Sequence, residues 1–292
     1  MLVASPVVPA LALLHPVAQL GSTFSVHPST AIGIAALAAL YLWRARVGPT
    51  AAASGATPAA GARTPTAAQR LAFFTGLALL FVSLNGPIHD LSDVYLFSAH
   101  MVQHLLLQLV VVPLLLLGTP GWMLRPLLGV PALRAVGTRI TRPAWCFVLF
   151  NLVMAGWHLP PLYNTALAYH GVHITQHLMF LVASTLMWWP ILGTLPELPR
   201  LSYPAQLLYC FLLTIPMSIV SVYITYADRV LYPAYSWAPR VLGMSPLEDQ
   251  RLGGLIMWVP GGIYFMLVMS VVFFRWTTRG AQDDVHAAQV PA

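Results

Sequence analysis

His100-Met101-Val102-Gln103-His104-Leu105-Leu106-Leu107-Gln108-Leu109-Val110-Val111-Val112-Pro113-Leu114-Leu115-Leu116-Leu117-Gly118 is the stretch that decides the fold. Beyond Gln108 it is aliphatic and uncharged, and residues 98 to 118 supply the roughly 20 apolar positions a helix needs to cross about 30 Å of hydrocarbon. Its first half is different in kind. His100, His104 and Gln108 recur every fourth residue, so they line one helix face, successive imidazoles about 6 Å apart along the axis. Facing lipid would leave their donors and acceptors unpaired, so this stripe must turn into a bundle.

Composition agrees. Hydrophobic residues make up 58% of the 292 and charged residues 8%, with mean hydropathy +0.75; a soluble surface needs about 25% charged residues. All fourteen basic residues are Arg, which reads first as compositional bias, and the net charge of +6 is sorted by membrane side rather than taken as a nucleic-acid signal. Cys146 and Cys210 lie far apart in apolar runs, which excludes a CxxC pair or a disulfide framework.

The spacing predicts an all-α polytopic membrane protein, a seven-helix bundle with spans near 28–43, 69–87, 98–118, 143–158, 172–194, 203–226 and 252–275. Residues 1–27, broken by Pro6, Pro9 and Pro16 and lacking a basic start, are expected to form an extracytoplasmic tail. The Ala, Gly, Thr and Pro stretch 47–68 is expected to be a mobile cytoplasmic loop, and 276–292 a cytoplasmic tail. With the N-terminus outside, eleven Arg fall on inner segments, leaving only Arg229, Arg240 and Arg251 outside, a strong positive-inside bias.

On that topology His15, His27, His89, His100, His104, His158, His170, His173 and His177 lie in or beyond the outer half, and only His286 is cytoplasmic. Chance would scatter imidazoles over both sides, and ionisable groups inside a membrane chain tend to mark function. The fifth span repeats the fourfold spacing with His173 and His177, Gln176 beside them and His170 one turn upstream; His158 sits at the outer end of the fourth. Neutral imidazoles at this spacing suit metal or haem ligation, with a polar packing network as the alternative. His15, His27 and His89, single residues at helix ends, read as caps or interface residues. Met101 and Met244 could add thioether sulfur, though Met is also ordinary core filler. Asp90, Asp93, Glu248 and Asp249 join the imidazoles on the outer side, as ligands, as groups orienting an imidazole, or as caps. Gly253 and Gly254 suit close helix contact or a local break, and Trp188 and Trp189 read as interface anchors.

The run from His100 through Pro113 to Gly118-Thr119-Pro120, Trp157-His158-Leu159-Pro160-Pro161-Leu162-Tyr163, the His173 and His177 pair with Trp188-Trp189-Pro190, and Asp249-Gln250 with Gly253-Gly254 and Met257-Trp258 together resemble the CtaG-type, caa3-type cytochrome c oxidase assembly proteins. The resemblance covers about residues 85 to 275. It implies a multi-pass protein of the bacterial inner membrane, not an enzyme, that supplies copper to the catalytic subunit of a haem-copper oxidase. Copper comes from an extracytoplasmic donor, and lipid is the other partner. The implied ligands are His100, His104, His158, His173 and His177, with Asp249 a weaker candidate. Two alternatives stay open: a haem-binding electron carrier, and a zinc-dependent membrane hydrolase with an open metal position.

Overall fold

A computed structural model describes residues 24–48 and 64–288, with side chains to residue 279. Every regular element among the described residues is helical. Helix α1 is Pro28–Val47 and α2 is Ala67–Ser83. Most of the expected tail, His15 included, and residues 49–63 of the expected loop lie outside the described residues. The ends of that loop are helical, because Thr66 and Gln69 cap each other's backbone N–H groups at the start of α2.

After α2 the chain turns by 49° into α3, Gly86–Tyr95. Gly86 sits at φ +68°, a conformation open to glycine, and Pro87 follows where a helix start needs no N–H donor. The Gly86 N–H donates to the Ser25 carbonyl at 2.8 Å, and the His27 N–H to Asn85 Oδ1 at 2.7 Å. These bonds staple the segment before α1 onto the α2–α3 corner. The last turn of α3, Leu91–Tyr95, is a π turn.

Helix α4, Phe97–Gly118, is the stretch from which the fold was read. Its first N–H groups are satisfied by a side chain distant in sequence: Asp249 accepts from Phe97 N at 2.7 Å and Ser98 N at 3.2 Å. Pro113 lacks an N–H and crowds the carbonyl one turn back, and α4 widens into a π turn over Leu106–Val111. The Gln108 carbonyl accepts the Trp188 indole N–H at 2.8 Å. Trp188 and Trp189 are both buried, so Trp188 is a brace between helices rather than an interface anchor.

After short helical turns at Gly121–Leu124 and Arg125–Gly129, the longer helices are α5 Pro131–Ile140, α6 Pro143–Trp157, α7 Pro160–Ala168, α8 His170–Leu192, α9 Tyr203–Thr225 and α10 Pro246–Ala288, with a 3-10 turn at Pro233–Trp237 between the last two. Helix α10 packs along α9 and against the start of α4, α8 packs on α6, and α2 on the second half of α4. Glycines allow the close approaches: a Cβ on Gly118 would enter the Phe73 backbone, one on Gly253 the Phe97 ring, and one on Gly254 the Thr225 side chain. Gly253 and Gly254 therefore serve helix contact rather than a break. Outward faces carry exposed Leu152, Val182, Ile219 and Met266, a surface fitted to lipid.

Among the described residues four helices, α1, α4, α9 and α10, are long and apolar enough to cross a membrane, and six crossings result if α2 with α3 and α5 with α6 each count as one bent span. Seven were expected. The difference is α8, which has the length at 23 residues but spends its first half on His170, His173, Gln176 and His177.

Tyr41, near the end of α1, donates to the carbonyl of Gly118 at the end of α4, and Arg44 donates to the Trp122 carbonyl. The two helices thus run in one direction. Arg44 belongs to the end where they finish, and the imidazoles to the end where they begin.

Candidate metal centre

Two helices and the end of a third supply the five imidazoles. On α4, His100 and His104 lie one turn apart with ring centroids separated by 4.2 Å; on α8, His173 and His177 are separated by 4.5 Å. The two pairs face each other, with His100 5.8 Å from His173 and His104 5.7 Å from His177. His158, at the end of α6, lies 6.0 Å from His104. The structure therefore brings all five predicted imidazoles together, each buried.

Three of the five rings, His100, His158 and His173, have one nitrogen held by a neighbour. His158 Nδ1 donates to the Met154 carbonyl at 2.6 Å, and His100 Nδ1 to the Ser92 carbonyl at 3.3 Å. The Asp93 carboxylate reaches two rings at once, His89 Nδ1 at 3.0 Å and His173 Nδ1 at 3.2 Å. Holding one ring nitrogen fixes the orientation of the other, which is how metal-binding imidazoles are aimed. The other nitrogens have nothing to bind: Nε2 of His100, His158 and His173, and both nitrogens of His104 and His177, are buried without a hydrogen-bond partner among the described residues. Both amide atoms of Gln176 are in the same condition. Burying a polar group unpaired costs roughly 1–3 kcal/mol, so several at one place amount to an arrangement for a ligand. Asp93, His173 and His177 bring one ligand atom each within 4.8 Å of one another, within reach of a single ion.

The π turn of α3 explains how Asp93 arrives here. It swings the Ser92 and Asp93 region over the start of α4, and the Ser92 carbonyl accepts from both His100 and the Tyr235 hydroxyl, the latter at 2.8 Å. Tyr163 Oη lies 2.9 Å from Tyr235 Oη. Burial pushes both phenols well above the usual tyrosine range, so they act as neutral donors.

Asp249 is placed differently from the histidines. Its carboxylate is engaged with the first turn of α4. His89, Asp93 and His27 complete the outer edge: the His27 ring lies 4.4 Å from His89 and 6.2 Å from His170. Partial burial, then the neighbouring His89, holds the His27 imidazole below its ordinary pKa. A cleft of about 480 Å³ between α1, α2 and α8 ends on His89, His173 and His177 and has His27 and His170 on its wall. Sequence reasoning named Asp93 only as one of four acidic residues and set His89 and His27 aside as end residues. No periodicity marked them, because they lie on short turns. Tyr163 entered only as the last residue of the Trp157–Tyr163 motif, with no role assigned, and Tyr235 carried no signal.

The sequence profile of the family described as cytochrome c oxidase caa3 assembly factor matches residues 39–279. Uncharacterized proteins of Mycobacterium bovis and Mycobacterium tuberculosis are each 25% identical over 237 residues, and one of Mycobacterium leprae is 24% identical over 238. Each alignment covers 74% of this chain but 36% of the relative, so the chain spans about a third of the length of these curated proteins. No solved structure matches.

Proposed function

Because the chain belongs to the cytochrome c oxidase caa3 assembly factors, we propose that its imidazole cluster binds copper at the extracytoplasmic side and passes it to the catalytic subunit of a haem-copper oxidase. The observation that carries this reading is the set of buried, unpartnered ring nitrogens that converge from α4, α6 and α8 beside Asp93. Imidazole nitrogen with one carboxylate is a donor set suited to copper or zinc. Copper here is cargo. The cleft ending on His89, His173 and His177 offers it a way in, and His27 and His170 offer transient ligands along that way. Release proceeds by ligand exchange, one imidazole at a time, to a docked acceptor.

In this reading Asp249 is a positioning residue that sets the start of α4, and with it His100 and His104. The chain crosses a bacterial inner membrane seven times, α8 included, with the N-terminal tail outside and the C-terminal tail in the cytoplasm. Eleven inner Arg against three outer support that orientation, as does the placing of Arg44 at the end opposite the imidazoles. An extracytoplasmic copper donor and membrane lipid are the other partners. Ring centroids 4.2–6.0 Å apart favour a shared ion over the haem alternative, which needs two rings opposed across a macrocycle.

The test is metal content and visible spectrum of gently purified protein beside a His104→Ala/His177→Ala variant, with oxidase maturation followed in cells. Copper bound by the wild type and lost from the variant, together with immature oxidase, is expected. A Soret band with stoichiometric iron would favour the electron carrier, and one retained zinc with hydrolytic activity the hydrolase. Normal oxidase maturation in the variant would refute delivery.

A further inference from the structure

Beside the imidazole cluster is a small chamber of about 20 Å³, room for one water-sized body. Four helices each put a methionine into its wall: Met101 from α4, Met154 from α6, Met217 from α9 and Met257 from α10. All four are buried. His104 and His158 form the roof, and the rest is Leu105, Gln108, Leu109, Phe150 and Phe265. The two roof imidazoles are the second, independent observation. At 3% exposure each, they border the chamber with three ring nitrogens that have no partner, both of His104 and Nε2 of His158.

We infer that this chamber, where Met101, Met154, Met217 and Met257 meet His104 and His158, is a second metal station with soft donors that takes a monovalent copper ion. Thioether sulfur is a soft ligand that selects Cu(I) over harder divalent ions. Charge points the same way. No carboxylate lines the chamber, and the cost of desolvating an ion rises with the square of its charge, so an uncharged donor set discriminates against a divalent ion. The group around Asp93 is the contrasting case: nitrogen and oxygen donors, one negative charge and an open cleft. His104 stands between the two, 5.7 Å from His177 and 6.0 Å from His158, so one ring can serve either station. The second station holds whether or not the Asp93 group takes copper.

Silver(I), a redox-inert stand-in for Cu(I), is the probe. In protein labelled with selenomethionine, whose fold is that of the native chain, selenium K-edge absorption on adding silver is expected to show silver as a neighbour of selenium. No silver neighbour overturns the inference. The second arm is the Met101→Leu/Met217→Leu/Met257→Leu variant, which keeps volume and both cysteines. It is expected to lose silver binding while retaining the thermal unfolding profile and the Zn(II) binding of the wild type; silver binding equal to wild type overturns the inference. The third arm is Asp93→Asn/His173→Ala, expected to lose Zn(II) and keep silver. Failure of Zn(II) to bind the wild type, with the silver–selenium signal intact, counts against the Asp93 group alone and leaves the second station standing.

Discussion

His104 and His177 stand out, since neither ring nitrogen of either has a hydrogen-bond partner among the described residues. Asp93 differs: it is the group that orients, reaching His89 and His173. Asp93→Asn preserves shape but removes the charge and one acceptor. It is expected to weaken divalent metal binding by about 10–100-fold, read by competition with a chromophoric chelator, with little change in unfolding temperature. Protons compete with metal for the same nitrogens, so bound ion should be retained at neutral pH and released on acidification, followed by metal content after dialysis. The paired histidines were legible in sequence because fourfold spacing leaves a mark. Asp93 was not singled out, because its role depends on the π turn and on α8 arriving from eighty residues away in the chain.

Helix α4 is held at three points by other elements. Asp249 caps its first turn, Trp188 takes up the Gln108 carbonyl in its π turn, and Gly253 lets α10 lie against Phe97. The neighbouring Gln250 accepts from Leu231 N at 2.7 Å and so pins the loop that carries Tyr232 and Tyr235. Asp249→Ala leaves buried N–H groups unpaired and should cost about 2–3 kcal/mol in detergent unfolding, whereas Asp249→Asn, which keeps an acceptor, should cost less. Gly253→Ala forces a methyl into the Phe97 ring and should cost about 1–3 kcal/mol in the same measurement. From sequence, Asp249 was open to three readings, a weaker ligand, a group orienting an imidazole, or a cap. Only the packing of α10 on α4 assigns it to capping.

Across the whole molecule the asymmetry of charge has a physical counterpart. The imidazoles gather where α1 and α4 begin, while Arg44 lies where they end and Arg125 pairs with Glu197 at 2.8 Å. Single cysteines report the orientation, because native Cys146 and Cys210 are fully buried. Tyr169→Cys, at the exposed start of α8, is expected to react with a membrane-impermeant maleimide in intact cells, and Leu127→Cys only after permeabilisation. The reverse pattern would invert the topology. Length and hydropathy mark α1, α4, α9 and α10 as able to cross a membrane and do not mark α8, whose buried polar stripe lowers its mean hydropathy.

What the sequence determined by itself was the solvent, the helices and the five imidazoles, since apolar length and residue spacing are local properties that survive in a linear string. The tertiary structure decided which groups those imidazoles face. It placed Asp93 among them and Asp249 at a helix cap, and drew four methionines from four helices onto one chamber. Such convergence depends on crossing angles set by Gly118, Gly253 and Gly254 and on bends at Gly86 and Pro113, and no single segment encodes it.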